Sequence, residues 1–366
     1  MSIISPEISP FPGVSPDSKT SVSLAQVWEP IAGEMIAAQD LYRETILASP
    51  ERNYIHEILT SSGTHVPEEF RLGIVERIGR HFLGTEGKWI RAGLVLLSAH
   101  SFGAHGPSVQ KVAVAVELIH LATLTHDDII DEAETRRGLV SVCHGWGNSI
   151  AVLIGDFLFS KAFKLLLESR SIASQEALAV ATGQMCVGEI KQLRHVHGFH
   201  TSETEYLETI EHKTAALMAA STQSGAELAG CCPDTVTRFS RIGLDIGMAF
   251  QIVDDILDYT STLHTMGKEQ GGDLRNGKLT LPLIHLLQRR PDLLETIRAS
   301  EYSGGFVEEL RKHMLEEGSL EYSYNLARRC TGRARKSLND LRESSKNPDG
   351  IDSLLALSEL ILSRDS

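Results

Sequence analysis

Cysteine is scarce in this chain. Its 366 residues include five, none at a spacing that suits a disulfide framework or a zinc site. Two are adjacent, Cys231 and Cys232, and the odd count fits a reducing, cytoplasmic compartment. Positive charge is also short: 35 Lys and Arg against 48 Asp and Glu give −13 with His neutral. That deficit argues against nucleic acid as a partner, because such a partner calls for a basic patch or stripe. It suits a protein that gathers carboxylates around divalent cations. No uninterrupted apolar run reaches the roughly 18 residues of a membrane helix. The N-terminus lacks the basic stretch and apolar core of a signal peptide. We therefore expect no transmembrane segment and no secretion.

Proline is rare where helices would need it to be. Five of the 12 prolines fall within the first 30 residues (Pro6, Pro10, Pro12, Pro16 and Pro30), interleaved with serines. Residues 1–20 read as a flexible Pro/Ser-rich tail, since such sequence buries too little to repay ordering. Residues 21–366 read as one helical domain, with no composition break inside it. Apolar residues three and four apart run through Ser23–Leu47, Val112–Ile130 and Ile150–Leu167. The same period continues in Ala177–Leu193, Thr204–Ala229 and Thr235–Tyr259. Glycines at 103, 198, 230 and 267 mark helix stops. Alternating strand patterns bounded by Asn-Gly or Asp-Gly turns are almost missing. The fold class is all-α.

What the chain does have is a repeated acidic motif. Asp127-Asp128-Ile129-Ile130-Asp131 returns 127 residues later as Asp254-Asp255-Ile256-Leu257-Asp258. Residues i and i+4 share a helix face, so Asp127 points with Asp131 and Asp254 with Asp258. Carboxylates crowded into one turn repel each other. Solvated helix ends are the bland alternative. Paired hard-oxygen ligands for Mg²⁺, shared with substrate phosphates, explain two copies at the ends of apolar helices better.

Basic residues at Gly-flanked positions answer the acids. Arg136-Arg137-Gly138 follows the first motif. Gly267-Lys268 and the segment from Gly271 to Lys278 follow the second, and Gly87-Lys88 with Arg91 opens another apolar helix. Arginine forks and lysine point charges are natural phosphate partners. His120 lies two turns before Asp127 on one stripe, and Gln251 lies one turn before Asp254. Lys213-Thr214 interrupts a helix of small and apolar residues. Acid clusters with such basic sites suggest diphosphates bridged by Mg²⁺.

Together these motifs resemble those of the trans-prenyl diphosphate synthases, or polyprenyl synthetases, over residues 84–285, and most of all the long-chain members such as octaprenyl diphosphate synthases. The resemblance implies a single large helical domain, about a dozen helices around a deep apolar cavity with both aspartate motifs at its mouth. It implies a catalytic set of Asp127, Asp128, Asp131, Lys213, Asp254, Asp255 and Asp258. Within that set Asp127, Asp131 and Asp254 would hold three Mg²⁺ ions on an allylic diphosphate. Arg136, Lys213, Thr214, Gln251, Lys268 and Lys278 would contact that diphosphate. Lys88, Arg91, His120 and Arg137 would hold isopentenyl diphosphate. A homodimer and a product for quinone side chains are further implications. Trp89 and Ala92 depart from the basic residue and proline of many relatives, and Gly272 stands where an acid is frequent.

Chain length is read from the residues before Asp127. Short-chain relatives commonly place bulky aromatics four or five positions earlier, whereas here stand Thr123 and Ala122. An open floor at this level implies a medium to long product, about eight isoprene units. A farnesyl or geranylgeranyl diphosphate synthase is the alternative. Two remoter readings are a phosphohydrolase using His126-Asp127 as a metal dyad, and an inactive regulatory subunit. The first leaves the second aspartate motif unexplained, and the second expects lost aspartates that are all present. His195, His197 and His200 lack a cysteine at a zinc spacing and read as a helix end running into a loop.

Overall fold

A computed structural model describes residues 22–47, 74–84, 87–196, 201–260, 271–300 and 304–364. The proposed tail, Gly198 and Gly267 lie outside these. Helices α1 (Leu24–Trp28) and α2 (Ala32–Leu47) are joined by a 3₁₀ turn, Glu29–Ile31, where Pro30 removes a helical donor. Then come α3 (Ile74–Leu83), α4 (Ile90–Ser101) and α5 (Pro107–Ile130). Pro107 occupies the first turn of α5, where its missing N–H costs nothing. A two-residue hairpin follows, β1 (Thr135–Arg136) with β2 (Leu139–Val140), antiparallel with Arg136 opposite Leu139. Its turn residues Arg137 and Gly138 both have positive φ, 51° and 77°, the geometry that matches strand twist. Among the described residues these are the only strands. Helices α6 (Val142–Trp146), α7 (Asn148–Ser169) and α8 (Ile172–His195) complete the first half.

The second half opens with α9 (Glu203–Ile210), whose Ser202 and Glu205 form a reciprocal capping box. A π turn, Glu211–Ala215, separates it from α10 (Ala216–Leu228). Gly230, at φ 70°, ends that segment. Then follow α11 (Pro233–Thr260), α12 (Gly272–Arg275), α13 (Leu281–Arg289) and α14 (Leu293–Ala299). The chain closes with α15 (Gly304–Glu316), α16 (Ser319–Arg342) and α17 (Pro348–Leu362). The all-α expectation holds.

The helices group into two compact units. One comprises Trp28–Ala179 with Ala220–Val236. Its centre is α5, where Val112 to Val116, Leu118, Ile119 and Ala122 are fully buried and α7 runs along it. Small residues on α7 make the close approach possible: a side chain at Gly155 would overlap the His126 ring. By length and mean hydropathy α5 passes for a membrane span, which uninterrupted apolar runs did not reveal, and 56% of that stretch is buried within the protein. The other unit comprises Met1–Val27, Val180–Ala219 and Thr237–Ser366. There α16 pairs with α17 and receives α13, burying Leu338, Leu341, Ile351 and Leu354.

Candidate active site

In the unit built on α5, the first aspartate motif sits where the helix ends. Asp131 caps it, its N–H bonding to the Asp127 carbonyl at 2.8 Å. Carboxylates at this negative end of the helix dipole are unfavourable unless cations answer them. The hairpin answers one. Arg136 turns back and donates from Nε to the buried Asp128 carboxylate at 2.8 Å, with Nη2 on the same oxygen. Arg136, assigned to substrate by resemblance, is thus engaged by Asp128, while Asp127 and Asp131 are half-buried at the surface.

The neighbouring residue of the turn serves a different cleft. Arg137 lies against Gly87, where a Cβ would come within 2.8 Å of its guanidinium. Gly87, Trp89, Glu117, His120 and Arg137 line one cleft with Tyr42 and Leu124. Trp89 adopts φ 55°, left-handed and rare for an aromatic, directly before α4. Its ring meets Tyr42 edge-on at 5.0 Å. Lys88 is exposed beside it, and Arg91 lies in the first turn of α4. Burial, reinforced by the charges of Arg91, Arg137 and Arg136, holds His120 well below the usual imidazole range, so it is neutral at pH 7. The Thr123 hydroxyl bonds back to the His120 carbonyl at 2.8 Å, and Ala122 is fully buried.

The second motif ends α11 in the other unit and lies beside a cleft whose lining includes Lys213, Thr214, Gln251, Asp255, Asp273 and Lys278. A chain of hydrogen bonds orders it. Thr214 donates to Gln251 at 2.9 Å, and Gln251 donates to Asp255 Oδ1 at 2.8 Å. Tyr206 donates to Asp255 Oδ2 at 2.6 Å. Burial, with Asp273 nearby, pushes Asp255 well above the carboxylate range, and burial with Asp255 raises Tyr206 too. Asp255 is therefore an anchoring hub inside the protein. Lys213 donates to Gln192 at 2.8 Å and pairs with Glu189, both on α8.

Its flanking aspartates differ from it and from each other. Asp258 accepts the N–H groups of Gly272 and Asp273, at 3.0 and 3.1 Å, and so starts α12. Burial and the Asp273 charge outweigh those bonds and raise it to about 7. Asp254 pairs with Arg364 at 3.0 Å, and that guanidinium also lies 4.5 Å above the Phe250 ring. Lys268, His197 and His200 lie outside the described residues, as does the side chain of His195.

Sequence reasoning missed Glu117, Glu189, Gln192, Tyr206 and Arg364. Four carried a signal in their spacing. Glu117 precedes His120 by three on α5, Tyr206 precedes Lys213 by seven, and Glu189 and Gln192 sit three apart on α8. Arg364 carried none. It meets Asp254 from 110 residues away in the chain.

The donor set fits Mg²⁺. Among the described residues no three His, Cys, Asp or Glu side chains converge on one point unaided. An ion that takes one or two carboxylates and completes its shell with waters and phosphate oxygens needs no such cage. At Asp254 a cation already stands against the carboxylate in the form of Arg364.

A mainly helical scaffold with aspartate-rich helix ends, beside clefts that carry lysine or arginine, suits an enzyme class that handles diphosphates. Residues 73–314 match the polyprenyl synthetase family. The octaprenyl diphosphate synthase of Haemophilus influenzae is 34% identical over 81% of this chain and 90% of its own. A short chain isoprenyl diphosphate synthase from Methanothermobacter thermautotrophicus is 36% identical over 79% and 90%. The crystal structure of a polyprenyl synthase from Caulobacter crescentus, complexed with calcium and isoprenyl diphosphate, matches with a TM-score of 0.82 and 31% identity, covering 95% of this chain and all of that one. The chain belongs to the polyprenyl synthetase family, the trans-polyprenyl diphosphate synthases, and is a prenyltransferase of isoprenoid biosynthesis.

Proposed function

We propose that this enzyme extends an allylic diphosphate with isopentenyl diphosphate to an all-trans product of about eight isoprene units, destined for a quinone side chain. The observation that carries the length is α5 itself. It contains no Phe, Tyr or Trp, and the residues that stand before Asp127 include Thr123, Ala122, Ile119 and Leu118. A short-chain product, as made by the Methanothermobacter relative, requires a plug from elsewhere. Mass analysis of the lipid formed from farnesyl and isopentenyl diphosphates tests the reading; products of twenty carbons or fewer reject it.

In this reading Arg91, Arg137, Lys88 and neutral His120 bind isopentenyl diphosphate. Arg137 and Lys88 supply charge and His120 supplies a hydrogen-bond donor. Lys213, Thr214, Gln251 and Lys278 hold the allylic diphosphate, with Asp127, Asp131 and Asp254 as the Mg²⁺ ligands. Bound Mg²⁺, three ions by family resemblance, supplies charge that stabilises the leaving diphosphate. Lys213, oriented by Glu189 and Gln192, meets charge that grows on that leaving group as the carbon–oxygen bond breaks. The allylic cation is captured by the isopentenyl double bond, and a proton leaves to the released diphosphate. Apolar walls exclude water, which would otherwise quench the cation.

The hydrolase reading gives way to the family match. His126 packs on Gly155 and its Nε2 lies 3.1 Å from the Val152 carbonyl, so its ring belongs to the α5–α7 contact. A homodimer is part of the proposal. On α7, Leu153, Phe163 and Leu167 are exposed apolar residues, and on α8 so are Val180, Val187 and Ile190. Faces of this kind call for a partner, and a second copy supplies the same faces. Sedimentation at micromolar concentration giving a 40.1 kDa monomer rejects it.

A further inference from the structure

The π turn Glu211–Ala215 carries Lys213 and Thr214, and two helices press against its backbone through glycines. At Gly188 on α8, a Cβ would lie 2.6 Å from the Lys213 backbone nitrogen and 3.0 Å from His212 Cβ. At Gly247 on α11, a Cβ would lie 2.6 Å from Ala215 Cα and 2.9 Å from its Cβ. Both are about 1 Å short of van der Waals contact, and both strike backbone that no rotamer change can move. Glycine inside a helix weakens it relative to alanine, so both positions run against local preference.

Their partners explain the choice. Glu189 and Gln192, which hold the Lys213 ammonium, follow Gly188 by one and four residues. Gln251, which accepts from Thr214, follows Gly247 by four. Each glycine thus lets the widened turn approach the helix whose side chain then orients the functional group. Single π turns inside α-helices recur at functional sites, and this one is held from two sides.

We propose that Gly188 and Gly247 are positioning residues for the prenyl transfer, forming a cradle that sets the π turn and hence Lys213 and Thr214. The inference rests on the role given to Lys213 under the proposed function. A methyl at either position displaces the turn by about 1 Å, a misplacement of the size that costs about a hundredfold in rate. Isopentenyl diphosphate, assigned to the residues around Arg137, is left untouched.

Steady-state kinetics on Gly188→Ala and Gly247→Ala decide it, with Gly332→Ala on α16 as control because no atom lies within 4 Å of a Cβ there. We expect kcat to fall about tenfold to a hundredfold in both. KM for isopentenyl diphosphate should stay within about twofold, and the control should match wild type. In a double-mutant cycle, Gly188→Ala on a Lys213→Ala background should cost clearly less than on wild type, since the methyl acts in part through a side chain already removed. If Gly247→Ala folds poorly, Ala215→Gly is added, which deletes the Cβ met at 2.9 Å but leaves the Cα met at 2.6 Å, so the turn is still displaced and kcat is read in that pair; a kcat equal to that of Ala215→Gly alone overturns the proposal, and a lower one supports it. Wild-type kcat in a folded alanine variant, or a fully additive cycle, overturns it as well. Wild-type kcat for Lys213→Ala overturns the role of Lys213 instead, and so separates the two failures.

Discussion

Glu117 closes the start of α4 from outside. That helix begins without a side-chain cap, because Trp89 stands at its N-cap position. The carboxylate of Glu117, from α5, instead accepts the Ala92 N–H at 3.0 Å. Burial pushes Glu117 up, and Arg91, that N–H and Arg137 pull it down. Glu117→Ala removes a hydrogen bond to a charged group, about 1.5–3 kcal/mol, and a favourable charge at a helix N-terminus, up to about 1 kcal/mol. Relief of a buried carboxylate offsets part of this, leaving a loss of about 2 kcal/mol and a Tm lower by about 3 °C. Glu117→Gln keeps an acceptor for the N–H and loses only the charge. Its Tm should fall by about half as much, and its KM for isopentenyl diphosphate should equal or undercut wild type, since a negative charge near Arg91 and Arg137 is gone. Glu117→Ala should raise that KM several-fold, because the start of α4 is displaced. Differential scanning fluorimetry and steady-state kinetics read both. If Ala and Gln behave alike in Tm and KM, the acceptor at position 117 is not what holds Arg91, and the reasoning is wrong.

The remaining expectations concern metal, charge and chain length. Asp127→Ala and Asp254→Ala should each lower kcat by about 2–3 orders of magnitude with an unchanged circular dichroism spectrum; near-normal turnover in either removes it from the ligand set. Lys213→Ala should act mainly on kcat and Arg137→Ala mainly on KM for isopentenyl diphosphate, and the reverse pattern would exchange their roles. Asp258, raised to about 7, keeps a proton in the folded protein that the unfolded chain releases above its ordinary value near 4. Stability should therefore fall between about pH 4 and pH 7 in EDTA, with Tm falling relative to Asp258→Asn; parallel curves for the two proteins would count against the shift. Ala122→Phe should shorten the product toward fifteen or twenty carbons, because a ring in a packed space is costly to relieve, and an unchanged lipid profile would mean the floor lies elsewhere.

Helical period is a property of neighbours in the chain, so most of the fold was legible from it. Val112–Ile130 lies inside α5, Ile150–Leu167 inside α7 and Ala177–Leu193 inside α8. Both aspartate motifs were placed correctly at helix ends for the same reason. Interruptions were harder to read. Ser23–Leu47 breaks at Pro30 into a 3₁₀ turn, and Thr204–Ala229 widens at Lys213-Thr214 into a π turn. Proline forecasts the first break. The second depends on glycines 25 residues before and 34 after Lys213, whose missing side chains matter only once three helices meet.

Helical spacing placed Gln251 beside Asp255, but the distant partners of the motif carboxylates were decided by tertiary structure. From the sequence Asp128, Asp255 and Asp258 are equivalent acids beside their motif partners. In the folded chain Asp128 holds Arg136, Asp255 anchors Tyr206 and Gln251, and Asp258 starts α12. A carboxylate's role depends on burial and on donors brought to within about 3 Å. Tyr206 and Asp255 are 49 residues apart, Asp254 and Arg364 are 110 apart, and helical spacing places only residues three or four apart. The residue types, and hence the chemistry of diphosphates and divalent cations, were set by the sequence. Which carboxylates face that chemistry, and which only hold the scaffold, follows from how the helices pack.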